Sequence, residues 1–150
     1  MRLFHFPTIV TSFAGTLLTA LTVHASPVAC FNSVSGQFCI ELFETQAPIT
    51  TSNFMRYINS GAYTQGIFHR SVPGFVVQAG GYKIASTSNN QPSIFSVNTF
   101  PPINNEFGLS NKRGTVAMAK IADDADSATS QWFVNLSDNS SNLDRTNGGY

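Results

Sequence analysis

The stretch of residues 61–81 has the sequence GAYTQGIFHRSVPGFVVQAGG. Its two apolar segments, Ile67–Val72 and Phe75–Val77, flank a Pro-Gly pair. Proline presets φ at the first corner of a turn and glycine supplies the positive φ of the second, so this pattern predicts a β-hairpin. Arg70 lies inside the first strand and Gln78 ends the second. A charged side chain in an apolar hairpin must face water or line a polar cleft, and we expect Arg70 to line a cleft.

The composition indicates one neutral domain. The chain has 150 residues, of which 42% are hydrophobic, and its eight basic side chains balance eight acidic ones. This length is typical of a single domain, and the apolar content is sufficient for a core. Because there is no basic surplus, no nucleic-acid partner is expected.

The first 25 residues have the pattern of a signal peptide. Arg2 supplies a short positive region, Ile9–Val23 is an apolar run, and Val23-His24-Ala25 matches the small-x-small pattern before a cleavage point. We therefore expect residues 1–25 to be removed, leaving a domain of residues 26–150 in the periplasm or secreted, with no membrane attachment. The alternative is an uncleaved membrane anchor, for which the apolar run is short.

Two cysteines, Cys30 and Cys39, flank a segment whose centre, residues 33–36, is turn-like. Export would place both thiols in an oxidising compartment. In a hairpin, directly opposed positions lie within disulfide reach, whereas a register slip of one residue would put them on opposite faces. A disulfide and two buried thiols therefore both remain open.

The remaining elements predict a mostly β protein with antiparallel connections, for which a barrel is the expected architecture. A short amphipathic helix is expected between Thr50, a candidate N-cap, and Gly61, which would stop it at the C′ position. Residues 82–102 lack periodicity and predict a long loop. Further strands are expected at Val28–Phe31, Phe38–Phe43, Gly114–Lys120 and Ser130–Leu136.

The sequence has few residues that could form a nucleophilic catalytic site or a metal site. After residue 25 the chain has one histidine, His69, which adjoins Arg70 on a strand and so points to the opposite face. A core histidine hydrogen-bonded to nearby backbone is expected there. The acidic loop of residues 121–129 resembles half a calcium loop, but it lacks the glycine at the sixth position and the final glutamate. No metal and no cofactor are expected.

Several short motifs lie along the chain: Phe68-His69-Arg70, Pro73-Gly74-Phe75, Gln78-Ala79-Gly80-Gly81, Asn105-Glu106-Phe107, residues 114–119 (GTVAMA), residues 127–135 (SATSQWFVN) and Leu143-Asp144. Together they resemble the signature of the cyclophilin-type peptidyl-prolyl cis-trans isomerases. The resemblance covers nearly all of residues 26–150 and is greatest to the exported, periplasmic bacterial branch. It implies a closed antiparallel β-barrel capped by helices. In this family a strand, a second helix and a last strand follow the position of Tyr150, so we expect these elements to be missing here.

The resemblance also implies a site. Arg70 would be the catalytic residue, with its guanidinium hydrogen-bonded to the prolyl carbonyl of the substrate. The residues implied for substrate binding are Phe75, Val76, Gln78, Ala119, Lys120, Gln131, Phe133, Leu143 and Tyr150.

Five positions depart from the residues usual in the family. Val76 replaces Met, Ala79 replaces Gly, Lys120 replaces Asn, and Asn142 stands where Trp or Phe is common. Binding of cyclosporin-like macrocycles is therefore expected to be weak. Trp132 replaces Phe on the strand face opposite the pocket and is expected to fill the core.

The expected function is a monomeric isomerase that acts on proline-containing polypeptides and assists the folding of exported proteins. A peptide-binding, chaperone-like module on the same fold, with little or no turnover, is the second hypothesis. A secreted hydrolase is the third, and it would need His69 in the cleft.

Overall fold

A computed structural model of the chain describes residues 26–87 and 89–150, so the expected signal peptide lies outside the described residues. Within these ranges the chain is mostly β, as predicted. Neither helix found there has the length and apolar character that a membrane span requires. The elements in chain order are β1 (Val28–Ser33), β2 (Gly36–Glu41), α1 (Pro48–Asn59), β3 (Arg70–Val72), β4 (Val76–Ala79), β5 (Tyr82–Ser86), β6 (Pro92–Ser96), β7 (Val116–Met118), β8 (Trp132–Asn135) and α2 (Ser140–Leu143).

The described strands form three antiparallel sheets. β1 pairs with β2, β5 pairs with β6, and a four-stranded sheet has the order β3-β4-β8-β7. The antiparallel connections are those predicted. The second helix, α2, is a single turn of four residues and was not among the predicted elements.

A disulfide joins the first hairpin. Cys30 and Cys39 are direct partners in the β1–β2 register, and their side chains are bonded. Of the two alternatives that the sequence left open, the structure has the disulfide. The next pair in register, Phe31 and Phe38, points to the other face of the hairpin, where the two rings stack with centroids 5.2 Å apart. This aromatic face packs against the core.

Helix α1 begins at Pro48, two residues before the predicted N-cap, so the assignment of Thr50 as the cap was wrong. The cap residue, Ala47, makes no side-chain hydrogen bond. Instead, the carboxylate of Glu106 accepts the backbone N–H groups of Ile49 at 3.1 Å and of Thr50 at 2.8 Å. An acidic side chain from a distant loop therefore satisfies the first turn and lies at the positive end of the helix dipole.

The core lies between α1, the aromatic face of the first hairpin and one face of the four-stranded sheet. Trp132, with 3% of its surface exposed, lies at its centre, as predicted. Its ring centroid is 5.9 Å from that of Phe31 and 6.0 Å from that of Phe54. The hydroxyl of Tyr63 donates to the carbonyl of Ser130 at 2.8 Å, and burial raises the pKa of this phenol.

The prediction of a long loop at residues 82–102 is wrong, because residues 82–86 and 92–96 form the β5–β6 hairpin. Ile84 and Ile94 are direct partners in this hairpin and are both exposed. Every residue of these two short strands is exposed or partly buried, so the hairpin buries too little apolar surface for a clear pattern of hydrophobicity. Pro92 occupies the first position of β6, where a strand tolerates the missing donor.

We predict that Glu106→Ala lowers the free energy of unfolding by about 1–2 kcal/mol, because two N–H groups of α1 lose their acceptor. Urea denaturation followed by circular dichroism measures the effect. Glu44→Ala is the matched control, since this exposed glutamate precedes the same helix and caps no amide. Equal stabilities of the two variants would contradict the capping role.

Candidate active site

The central hairpin has the predicted turn. β3 and β4 pair antiparallel, and the amide of Phe75 donates at 3.0 Å to the carbonyl three residues earlier. Gly74 has φ of +72°, a conformation that costs glycine little and other residues more. The first strand is shorter than expected, because it begins at Arg70 and not at Ile67.

Strand register decides which side chains share a face. Arg70 is opposite Gln78 in the β3–β4 pair, Gln78 is opposite Phe133 in the β4–β8 pair, and Phe133 is opposite Ala117 in the β7–β8 pair. Directly opposed residues point to the same side of a sheet. Arg70, Gln78 and Phe133, three of the residues predicted for the site, therefore share one face of the four-stranded sheet, whereas Trp132 faces the core.

Three polar side chains form a row on this face. The Nη1 atom of Arg70 lies 3.5 Å from Oε1 of Gln78, and Nε2 of Gln78 donates to Oε1 of Gln131 at 2.7 Å. Arg70 is exposed, while both glutamines are partly buried. The Cζ atom of Arg70 lies 5.9 Å from the ring centroid of Phe75. The structure thus brings together the three donors that the sequence predicted, with the guanidinium at the solvent end of the row.

An apolar cluster lies beside the row. Its buried members are Val76, Phe133 and Leu143, with exposed fractions of 2%, 5% and 8%. Phe133 and Tyr150 meet edge to face, with ring centroids 5.9 Å apart. The residues packed against the buried members are Phe75, Ala117, Ala119 and Tyr150. All of the apolar residues that the sequence assigned to substrate binding therefore lie in one cluster.

The contacts of Lys120 are internal. Its Nζ atom donates to Oδ1 of Asn105 at 2.8 Å and to the backbone carbonyls of Asn147 at 3.0 Å and Gly149. Burial lowers the pKa of Lys120, and the carboxylate of Asp126 opposes that effect. The amide of the preceding residue also donates inside the protein, to the carbonyl of Gln131 at 2.8 Å.

A buried network of polar side chains was not predicted. Nδ2 of Asn139 donates to Oδ1 of Asn135 at 2.7 Å, and Nδ2 of Asn135 donates to Oδ1 of Asn111 at 3.1 Å. Asn111 donates to Asp144, and Asn139 also donates to the carbonyl of Phe75 at 2.9 Å. The network therefore ties the α2 segment to the central turn. Asn135, a polar residue among the apolar residues of β8, was the available sequence signal, since such a side chain needs a partner.

His69 does not take part in the polar row. Its ring meets that of Tyr82 edge to face at 5.0 Å, alongside the β5–β6 hairpin. Nδ1 of His69 is buried and has no hydrogen-bond partner in the described part of the chain, so the expected backbone bond is not found at this atom. Across residues 26–87 and 89–150, no three His, Cys, Asp or Glu side chains are grouped as a metal site would require.

A cavity of about 490 Å³ opens between β2, the start of α1 and residues 103–109. Its apolar lining includes Leu42, Phe54 and Met118, which also belong to the core. Arg70 and Gln78 do not line it, whereas Ala117, Lys120 and Tyr150 do, so the cavity lies away from the polar row but adjoins the apolar cluster.

Comparisons with known proteins agree with the geometry. The model of the family described as cyclophilin type peptidyl-prolyl cis-trans isomerase/CLD matches residues 11–149. The chain is 38% identical over 132 residues to peptidyl-prolyl cis-trans isomerase A of Dickeya dadantii, covering 87% of this chain and 63% of that protein. It is 39% identical over 139 residues to a peptidyl-prolyl cis-trans isomerase of Acinetobacter baylyi, covering 91% and 69%. The chain thus spans less than two thirds of the length of the Dickeya relative and slightly more than two thirds of the Acinetobacter one.

A solved structure shows the same fold. The cyclophilin type peptidyl-prolyl cis-trans isomerase of Cryptosporidium parvum, crystallised in the presence of the dipeptide Ala-Pro, superposes with a TM-score of 0.59 at 24% identity. The match covers 76% of this chain and 70% of that one. At this identity the likeness concerns the fold alone.

The network makes a pH-dependent contribution to stability. Ser110 and Asn111 donate to the carboxylate of Asp144 and hold its pKa below the ordinary value of 3.8. The folded state therefore binds this proton less readily than the unfolded state does. The stabilisation is present above about pH 3.8 and is lost as the pH falls through the lower folded value.

We predict that Asp144→Asn destabilises the protein at neutral pH and that, as the pH falls below about 4, its stability decreases less steeply than the parent's. Urea denaturation at a series of pH values measures both effects. Asp123→Asn is the control, because this aspartate is exposed in the 121–129 loop. Parallel pH profiles for the parent and Asp144→Asn would contradict the role of the carboxylate.

Proposed function

The chain belongs to the cyclophilin-type peptidyl-prolyl cis-trans isomerase family, and on that premise we propose that it catalyses cis-trans isomerisation of X-Pro bonds in polypeptides. The observation that carries the proposal is the shared sheet face, where Arg70 and two amide side chains lie beside an apolar cluster. The apolar cluster suits the ring of a proline residue, and the adjacent cation suits the carbonyl oxygen of that same residue.

Isomerisation needs electrostatic help and no covalent step. The barrier of about 18–20 kcal/mol comes from amide resonance, so an interaction that localises the lone pair of the prolyl nitrogen lowers it. The guanidinium of Arg70 donates to the prolyl carbonyl and favours a pyramidal nitrogen. Because the neighbouring amides preorganise this cation, it stabilises the twisted state more than the planar one.

The apolar cluster supplies the binding surface. Phe75, Val76, Phe133 and Leu143 hold the pyrrolidine ring, with Tyr150 as a further wall. Gln78, Gln131 and the backbone around Ala119 and Lys120 bind the flanking peptide. The presence of the dipeptide Ala-Pro in the Cryptosporidium parvum crystal supports a proline-containing ligand for this family.

A peptide-binding module with little turnover is the second candidate. Asn142 favours it, because this exposed residue of α2 provides no aromatic surface at the rim of the pocket. The same feature supports weak binding of cyclosporin-like macrocycles. Turnover separates the two candidates, since both predict peptide binding.

We further propose that residues 1–25 are a signal peptide and that the domain of residues 26–150 assists protein folding in the periplasm or outside the cell. The disulfide between Cys30 and Cys39 supports export, since such bonds persist in oxidising compartments. We also propose that the domain is a monomer and that the three sheets are parts of one closed barrel. The likeness to a solved cyclophilin supports the barrel.

We predict that Arg70→Ala lowers kcat/KM on a tetrapeptide with one Ala-Pro bond by about tenfold or more, because the transition state loses its cation. Arg70→Lys is also expected to be poor, since a point charge lacks the planar fork of the guanidinium. A protease-coupled isomer assay measures turnover, and circular dichroism checks the fold. Arg113→Ala, at an exposed arginine outside the row, is the control. Full turnover in folded Arg70→Ala would overturn the assignment.

Export has its own test. Expression of the full chain in a bacterium is expected to give a periplasmic product that begins at Ser26, as read by N-terminal sequencing. Cleavage after Ala25 is the reason, because the small residues at positions 23 and 25 suit the signal peptidase. Recovery of the uncleaved chain from the membrane fraction would contradict the signal peptide and favour the anchor.

A further inference from the structure

Three consecutive residues before Tyr150 have left-handed backbone conformations. The φ angles are +53° at Asn147, +72° at Gly148 and +77° at Gly149. Asparagine tolerates this region better than most residues, and glycine adopts it freely in the unfolded chain as well. The segment therefore has no helix or strand bonding of its own that would hold it in this shape, and its order depends on contacts with the rest of the protein.

The ammonium of Lys120 provides those contacts. An ammonium has three donors, and here they go to the carbonyls of Asn147 and Gly149 and to Oδ1 of Asn105. Nζ also lies 4.8 Å from the ring centroid of Tyr150, within the range of a cation–π contact. One side chain thus contacts the first residue, the third residue and the following aromatic ring of the same short segment.

Other bonds also attach the segment: Nδ2 of Asn147 donates to the carbonyl of Ile121 at 2.8 Å, and Nδ2 of Asn111 donates to the carbonyl of Tyr150 at 2.9 Å. Nδ2 of Asn105 donates to the carbonyl of Gly148 at 2.7 Å, and the amide of Tyr150 donates to the carbonyl of Leu143 at 3.0 Å. Asn105 therefore orients its oxygen toward Lys120 and its nitrogen toward the segment. The carbonyls of all three left-handed residues accept hydrogen bonds from the side chains of Lys120 and Asn105. We call these two side chains the clamp around residues 147–150.

The clamp has a consequence for the pocket. Tyr150 is the residue whose ring packs edge to face on Phe133, in the apolar cluster that would hold a proline ring. We propose that the side chain of Lys120 is a positioning element of this pocket. Its ammonium holds residues 147–150 so that Tyr150 forms a fixed wall beside Phe133, and the ammonium itself, unlike the backbone at this position, makes no contact with the bound peptide. This inference rests on the proposed function, because the bound peptide is the one proposed above.

Direct binding is the competing role for Lys120. A lysine that met the peptide would keep its donors available toward the pocket, whereas the three hydrogen bonds of Nζ are all internal. Burial, which lowers the pKa of Lys120, agrees with an ammonium that is partly withdrawn from water. The two roles differ in what the lysine orders, so exchange of the Tyr150 amide separates them.

The experiment compares Lys120→Met with Lys112→Met in the full chain. Methionine keeps the length of lysine without its charge or donors, and Lys112 is an exposed lysine paired with Asp138 at 2.9 Å. Three quantities are measured. NMR gives the hydrogen-exchange protection of the Tyr150 amide and the Kd for a tetrapeptide with one Ala-Pro bond, and the protease-coupled isomer assay gives kcat. Lys120→Met is expected to speed exchange by about tenfold and raise Kd by about threefold or more, with kcat changed by less than about twofold. Lys112→Met is expected to change neither.

Each other outcome overturns the proposal. Unchanged protection with a raised Kd would assign Lys120 to direct peptide contact, and lost protection with an unchanged Kd would remove Tyr150 from the pocket. If Lys120→Met does not fold, Lys120→Gln repeats the measurement, and Tyr150→Ala must raise Kd by a similar factor. A parent chain that binds the peptide without turning it over contradicts the proposed isomerase alone, because exchange and Kd still test the clamp.

Discussion

The alternation of side chains across the four-stranded sheet is the constraint on which the rest of the structure depends. Successive residues of a strand point to opposite faces, so neighbouring residues of β4 and β8 divide between the core and the candidate site. Trp132 and Phe133 show this division directly, because one packs among the core aromatics and the other in the cluster with Val76 and Leu143. A register slip of one residue would exchange the two sets and lose both the core and the site.

The site depends on this sheet for position and on loops for completion. Arg70 and Gln78 hold their places through strand pairing, but Leu143 and Tyr150 come from a segment without strand bonds. Two sets of hydrogen bonds order that segment: those of the buried asparagine network and those of the Lys120 ammonium. Buried polar groups are costly unless every donor and acceptor is paired, so such sets specify one arrangement when they are complete.

The parts of the fold that the sequence predicts correctly are those decided by neighbouring residues. The Pro-Gly turn and the opposite faces of Trp132 and Phe133 follow from local spacing, whereas spacing alone left the pairing of Cys30 with Cys39 open, because it did not fix the register of the first hairpin. The cap of α1 could not be predicted in this way, because Glu106 is 57 positions from the amide of Ile49. The internal contacts of Lys120 were also missed, since they need the segment of residues 147–149 to fold back on it.

The central claim is that one sheet face binds an X-Pro peptide and accelerates its rotation. NMR exchange spectroscopy of an Ala-Pro tetrapeptide, recorded with a small amount of the ¹⁵N-labelled chain, tests both halves in one sample. We predict exchange between the cis and trans peptide signals, with shifts of the chain's amides concentrated at Gln78 and Phe133. Peptide signals that do not exchange, or shifts confined to residues that line the 490 Å³ cavity, such as Leu42 and Phe54, would contradict the claim.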